Sequence, residues 1–556
     1  MKQIVLFIFL SCCLLSCKSK NDNSKTVATT YSADTQTPFI WEAANIYFLL
    51  TDRFNNGDTS NDINFERTEE TAILRGFEGG DITGITQKIE DGYFTELGIN
   101  AIWFTPVVEQ VHGLVNEGTG ATYGYHGYWT RDWTSLDPNF GTYEELRKLV
   151  TTAHKNGIRI VMDVVLNHTG PVTSIDNFWG EEWARQEPQC TYDSYDATTI
   201  CTLVRNLPDI KTESDAVVEL PQFLIDKWKK EGRYETEIEE LNTFFANSGL
   251  TKTPRNYIIK WLTDYIRDLG IDAFRVDTVK HVDEESWSVL RTQADSAFET
   301  WKQNNPELVL DDNAFFMLGE VYNYNIGSGR TYDFGSKKVD YFAHGFDNLI
   351  NFQFKYDATG DYEAMFATYD SILNNQLKEK SILNYATSHD DGQPFDKDRS
   401  KAFETGTKLL LTPGLSQVYY GDEIARNLTV ENAEGDATLR SMMPWEDLNN
   451  TVTKNILEHW QKLGRFRRDH PAIGAGRHNM LQAKPYLFSR TYNKNSVEDY
   501  VIVGLDLAEG EKTISIPQTF GDGVLLRDAY SNTETTVKDG KISINTPYTI
   551  VLLEKK

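Results

Sequence analysis

Gly270-Ile-Asp-Ala-Phe-Arg-Val-Asp277 is a short, mostly apolar run that closes on two charged residues. Arg275 and Asp277 lie two apart, so on a strand both side chains leave the same face. The residues before it read as a helix: Thr253 as N-cap, Pro254 at the first helical position, Ile258, Leu262, Tyr265, Ile266 and Leu269 as a buried stripe, and Gly270 as the stop. A helix that passes through glycine into an apolar strand is half of a βα repeat, and the pattern recurs outward. Thr142-Tyr-Glu-Glu145 spells a capping box, Leu146, Leu149, Val150 and Ala153 share one helix face, and Gly157 ends it before the strand-like run Ile158–Leu166. Similar runs stand at Asn45–Leu50, Ala101–Phe104, Phe315–Val321, Ile382–Thr387 and Ser416–Tyr420. Many are nearly continuous apolar runs, as parallel strands covered on both faces require. From about residue 40 to 425 the chain therefore reads as α/β, either a barrel or a doubly wound sheet; periodicity does not choose between them.

The rhythm breaks twice. Residues 169–252 are too long for an ordinary βα loop and read as a subdomain inserted after the third strand, with a helix near 221–247. After about 475, Tyr500–Leu507, Thr513–Ile516, Val524–Arg527, Lys541–Ile544 and Thr549–Leu553 read as short strands of a C-terminal antiparallel β-domain, a sandwich over 476–556. The catalytic body spans 37–475.

The N-terminus is an export signal rather than fold. Lys2 precedes an apolar run, Val5–Leu10, too short to stay in a bilayer. Leu14-Leu15-Ser16-Cys17 resembles a lipobox, which makes residues 1–17 a lipoprotein signal peptide and Cys17 the lipidated residue; plain secretion is the alternative. Residues 18–36 carry too little apolar surface to fold and read as a tether. Of five cysteines, only Cys190 and Cys201 remain beyond the leader, and in an oxidising compartment they form a candidate disulfide. A formal net charge of −27 argues against nucleic acid as partner.

Three predicted strands end in carboxylates: Asp277, Glu320 after Phe315-Phe-Met-Leu-Gly, and Asp390 after Ser388-His389. If the strands close into a barrel, their C-terminal ends meet at one mouth. Two such carboxyls about 5–5.5 Å apart serve a retaining glycosidase, one as nucleophile and one as acid/base. Arg275 favours negative charge beside it, which suits Asp277 as nucleophile. Glu320 would have to hold a proton near neutrality, and Asp390 could stabilise a cationic sugar.

These residues, with Asp163-Val-Val-Leu-Asn-His168, Phe274-Arg-Val-Asp-Thr-Val-Lys-His281, Gly319-Glu320, Ser388-His389-Asp390, Leu207-Pro-Asp-Ile210 and Gly98-Ile-Asn-Ala-Ile-Trp-Phe-Thr-Pro106, resemble glycoside hydrolase family 13, the α-amylase family, over nearly the whole mature length. The stretches Leu207–Ser214, Arg275–Val282, His344–Phe354 and His470–Gly476 are most similar to periplasmic α-amylases of Gram-negative bacteria. The resemblance implies a (β/α)₈ barrel and α-1,4-glucan hydrolysis, with Asp277 as nucleophile, Glu320 as acid/base and Asp390 as transition-state stabiliser. It implies sugar contacts at His126, Tyr128, His168, Arg275 and His389, and a leaving-group pair in Lys280 and His281. It also implies a central calcium held by Asn167, Asp209 and the His281 carbonyl, and a second at Asn56, Asp58, Asn61, Asp62, the Gly79 carbonyl and Asp81. An Asn/Gly/Asp turn is the rival reading of that second set. Ser388 stands where the family usually has Asn, so no chloride is expected, and the 213–252 segment is longer than in short α-amylases. The expected protein is a monomer on an outer-membrane lipid anchor that acts on starch, glycogen or maltodextrins. The rivals are a glucanotransferase on the same fold and a non-catalytic glucan-binding lipoprotein.

Overall fold

Eight parallel strands close a barrel: β1 (Asn45–Leu49), β2 (Ala101–Phe104), β3 (Arg159–Val164), β4 (Ala273–Val276), β5 (Phe316–Gly319), β6 (Asn348–Asn351), β7 (Ser381–Tyr385) and β8 (Leu415–Tyr419). Each pairs with its neighbours in chain order, and β8 returns to β1. Every residue of these strands is buried, which is why the runs carry no alternation. This computed structural model describes residues 37–516 and 520–556. The leader, Cys17 and the 18–36 tether lie outside the described residues.

The two expected helices form, as α1 (Tyr143–Lys155) and α4 (Pro254–Leu269). In α1 the capping box closes both ways: the Glu145 N–H donates to Thr142 Oγ1 at 3.3 Å and the Thr142 N–H to Glu145 Oε2 at 2.7 Å. Thr253 holds the cap position of α4, but its hydroxyl is buried and makes no hydrogen bond among the described residues. Its carbonyl accepts the first bonds of the helix, from the N–H groups of Asn256 and Tyr257 at 3.1 and 3.2 Å.

The insertion leaves the barrel after β3. Its strands Ala184–Arg185 and Asp209–Ile210 pair, and Cys190 and Cys201 are joined by a disulfide. The single helix expected near 221–247 is two, α2 (Gln222–Glu231) and α3 (Tyr234–Ser248), separated at Gly232 with φ +74°. An aromatic cluster fastens the insertion to α4: Trp183 stacks on Trp261 at 6.2 Å, and Trp179 meets Trp133 at 5.1 Å and Trp183 at 5.0 Å.

After α5 (Glu284–Asn304) and the last barrel helix, α6 (Thr451–Asp469), the chain builds a six-stranded antiparallel sheet and a two-stranded ladder, Gly510–Ser515 with Lys541–Thr546. Leu487, Ile502, Leu526, Ile542 and Val551 belong to the apolar cluster of this region. Arg477–Gln482, Tyr486–Lys494 and Thr533–Thr536 are strands that the sequence reading did not include.

Candidate active site

Arg275 and Asp277 project from the end of β4 as the spacing requires, and the buried guanidinium meets three carboxyl groups. Arg275 Nη1 donates to Asp163 Oδ1 at 2.9 Å and to Asp277 Oδ1 at 2.8 Å, and Nη2 lies 3.1 Å from Glu320 Oε1. Asp163 ends its share of the network from β3, taking Trp103 Nε1 at 3.0 Å and Tyr128 OH at 2.9 Å on its other oxygen. Glu320 Oε2 accepts the Thr278 N–H at 2.9 Å. Thr278 adopts φ +49°, a left-handed conformation that β-branched residues avoid, and the turn aims its N–H at the carboxyl. Asp390, beyond β7, accepts the Ser388 hydroxyl at 3.1 Å.

These surroundings separate the carboxyls electrostatically. Burial raises the pKa of Glu320 well above the ordinary glutamate value; Arg275 opposes this, and Asp277 and Asp390 add to it. Burial also pushes Asp390 up, but His389, Arg275, Arg440 and the Ser388 hydroxyl together hold it below the usual aspartate range. Burial drives His281 and His389 down to about 4 and lowers His126 and His168. All four are neutral imidazoles near pH 7, able to donate and accept hydrogen bonds.

A cleft of about 740 Å³ lies over the carboxylates, and His126, Tyr128, His168, Asp277, Lys280, His281, Glu320, His389 and Asp390 all line it. Tyr128 stacks on His389 with ring centroids 5.3 Å apart, and the Tyr128 carbonyl lies 3.1 Å from His168 Nε2. Lys280 Nζ donates to the Tyr322 carbonyl and the Tyr332 hydroxyl, both at 3.3 Å, and the rings of Tyr192, Tyr322 and Tyr332 surround it. His281 Nδ1 lies 3.0 Å from the Thr198 carbonyl of the disulfide loop. Arg275 differs from its expected place: it sits beneath the carboxylates and does not line the cleft. Arg440, absent from the sequence-derived site, donates through Nε to the His389 carbonyl at 2.9 Å. Only the run of polar residues after β8 could have marked it.

A family model described as "Alpha amylase, catalytic domain" matches residues 48–460. The chain belongs to the α-amylase family. It is 36% identical over 522 residues to a periplasmic alpha-amylase of Escherichia coli (strain K12), covering 84% of this chain and 72% of that one. It is 25% identical over 532 residues to a cyclomaltodextrin glucanotransferase of Thermoanaerobacterium thermosulfurigenes, covering 91% of this chain and 66% of the relative. An Anoxybacillus alpha-amylase crystal structure shares the fold with a TM-score of 0.63 at 23% identity, covering 93% of this chain and 99% of that one. Membership makes the chain a glycoside hydrolase.

Family membership also brings calcium into question. Among the described residues no cluster of three or more His, Cys, Asp or Glu side chains could hold a metal, so a cation would depend on amide and carbonyl oxygens. Two places offer them. The Asn167 amide oxygen lies 3.2 Å from Asp209 Oδ1 and 3.1 Å from the His281 carbonyl, three acceptors facing one another. Either a rotated amide donating to both or an oxygen-seeking cation resolves that convergence, and the donor set fits calcium. In the 56–81 region the side-chain oxygens of Asn56 and Asn61 are buried without a hydrogen-bond partner among the described residues. A Cβ on Gly79 (φ +90°) would come within 2.4 Å of Asn56 Nδ2 and 2.6 Å of Asp62 Oδ1, so the backbone must be glycine to close this cradle. Asp58 and Asp81 are engaged otherwise. Asp58 Oδ1 takes the Ser60 N–H and hydroxyl, and Asp81 accepts the N–H groups of Gly57, Asp58 and Gly84 as a helix cap. Those two residues follow the turn reading.

Proposed function

We propose that this protein is an endo-acting, retaining α-amylase that hydrolyses α-1,4-glucosidic bonds in starch, glycogen or maltodextrins. The observation that carries this reading is the single guanidinium that holds Asp277 and Glu320 together under one cleft, with Asp390 beside them. Two carboxyls within the span of one guanidinium suit a retaining pair, which works at about 5–5.5 Å. Asp277 attacks the anomeric carbon as Glu320 gives its proton to the departing glycosidic oxygen. Water then attacks the glycosyl–Asp277 ester, Glu320 takes the water's proton, and the Asp277 carboxylate leaves. Asp390, held ionised, faces the positive charge of both transition states. The neutral imidazoles of His126, His168 and His389 bind sugar hydroxyls, Tyr128 stacks on the ring, and Lys280 and His281 hold the leaving-group side.

Asp277→Asn is expected to abolish starch hydrolysis while maltoheptaose still binds in calorimetry. Glu320→Gln is expected to lower the rate by about 10²–10⁴-fold. Unchanged turnover in either variant removes the assigned role. Linear products of α configuration from maltoheptaose support hydrolysis; cyclic or longer products favour transfer, the activity for which several relatives are named.

Asn167, Asp209 and the His281 carbonyl would hold a calcium that ties the insertion to the barrel, and Asn56, Asn61, Asp62 and Gly79 a second. Bound calcium adds folding free energy, about 2.7 kcal/mol at a hundred times its Kd. Exhaustive chelation is therefore expected to lower Tm, and an unchanged Tm in metal-free protein argues against both sites. The similarity to a relative named as periplasmic supports export, and the lipobox-like run ending in Cys17 supports a lipid anchor on the outer membrane. Palmitate labelling lost in Cys17→Ser tests the anchor.

A further inference from the structure

A second cavity of about 500 Å³ opens beside the catalytic cleft and shares Tyr322, Asn323 and Asp390 with it. Its position on the ring of strands sets it apart from the cleft's own course. The cleft runs from Lys280, after β4, and Tyr332, after β5, to Asp436 and Arg440, after β8, on the far side of the ring. The second cavity is walled by Tyr322, Asn323 and Asn325 after β5 and by the loops after β6 and β7, so it leaves sideways between those two directions.

The side lobe is a constructed polar surface. Tyr385 OH donates to Asp391 Oδ2 at 2.7 Å, Lys355 pairs with the same carboxylate, and Tyr356 OH donates to Gln393 Oε1 at 2.8 Å. Gln353 adds a further amide to the lining. Tyr322 and Tyr356 are each 48% exposed and offer ring faces. Fixed donors and acceptors beside flat apolar faces are the chemistry that recognises a sugar.

A linear α-1,4-glucan leaves its scissile bond in two directions, and the main cleft already supplies both. A third exit next to Asp390 serves only a glucosyl unit that carries a third substituent, and the free primary hydroxyl, O6, is where α-glucans branch. We propose that the side lobe seats glucosyl units of an α-1,6 branch, so the preferred substrates are branched α-glucans cut close to their branch points. This deepens the hydrolase reading above and rests on it.

Gly392 gives a direct test. Gly392 lines the lobe and a Cβ there meets no heavy atom within 4 Å, so Gly392→Trp adds bulk at the lobe's wall without forcing the backbone. The full-length enzyme is assayed for kcat/KM on maltoheptaose and on maltoheptaose bearing a 6-linked maltosyl branch. The expected result is a linear-substrate value within about twofold of wild type and a branched-substrate value lower by about tenfold or more, carried by KM. Tyr356→Ala, at an exposed position, is expected to repeat the selective loss should the tryptophan variant fold poorly. Equal losses on both substrates, or no loss on the branched one, overturn the lobe. A wild type that cleaves neither substrate overturns the hydrolase reading and the lobe with it.

Discussion

Arg275 faces three carboxyl groups with a side chain that is only 1% exposed, so no solvent shares the charge with it. Lysine keeps the charge but cannot span Asp163, Asp277 and Glu320 at once. Arg275→Lys is expected to lower kcat/KM by about 10²-fold, the equivalent of one charged hydrogen bond of about 3 kcal/mol. The pH profile carries a second expectation. Arg275 pulls the Glu320 pKa down against burial, so weakening it lets that pKa rise further. The alkaline limb, where Glu320 loses its proton, should move to higher pH even as the rate falls. A limb that moves to lower pH removes Glu320 as the acid. Asp277, Glu320, Asp390 and the neighbouring histidines were legible because short motifs at strand ends carry them. The Asp163–Arg275 contact was not, because 112 residues separate the partners and nothing in either segment encodes the meeting. Arg440 was hidden for a similar reason, since it ends a six-residue 3₁₀ helix, Gly435–Arg440, too short to show a period.

Two helix-terminating glycines separate backbone strain from packing at the level of elements. Gly157 (φ +70°) has open space where a Cβ would stand, whereas at Gly270 (φ +81°) a Cβ would lie 2.1 Å from a ring carbon of Trp301 on α5. Gly157→Ala should cost only the left-handed penalty, about 1–2 kcal/mol. Gly270→Ala should add about 1–3 kcal/mol of overpacking. Urea unfolding checks the order, and equal losses would mean that Trp301 yields freely. Two of the barrel helices, Tyr143–Lys155 and Pro254–Leu269, and seven of the eight barrel strands could be read because cap residues, glycine stops and apolar runs coincide. The missing strand, β6, is Asn348-Leu-Ile-Asn351, and both asparagines point into polar contacts: Asn348 donates to Ser381 Oγ at 2.8 Å and Asn351 to Asn384 Oδ1 at 3.0 Å. A strand of four residues with amides at both ends reads as a turn. Arg477–Gln482 escaped for the opposite reason, since it is largely exposed and has no apolar face to reveal it.

Across the whole molecule, His470 joins the end of α6 to the C-terminal sheet. Its Nδ1 lies 2.8 Å from Asp499 Oδ1 and its Nε2 2.6 Å from Glu554 Oε2, while Arg527 shares Glu554. Burial lowers the pKa of this imidazole, but the two carboxylates outweigh burial and bring it up to about 9. A pKa raised on folding stabilises fully below the unfolded value of about 6.5 and loses that contribution as pH rises through about 9. The contribution is at most about 3 kcal/mol. Wild-type stability is therefore expected to decline between pH 6.5 and 9, and His470→Gln to lose stability at pH 6 and flatten that decline. Parallel pH curves for the two proteins would exclude the clamp.

The bridged carboxylates have one more consequence. Asp163 lies in β3, and Asp277 and Glu320 directly follow β4 and β5, where their own N–H groups continue the ladder to the Val164 and Val276 carbonyls, so bond breaking is spaced by a rigid frame while grip on the polymer belongs to the surrounding loops. Evolution, or an engineer, can therefore vary the loop over β6, which carries none of the reacting groups, and change which polysaccharide is grasped, leaving the cutting edge as sharp as before.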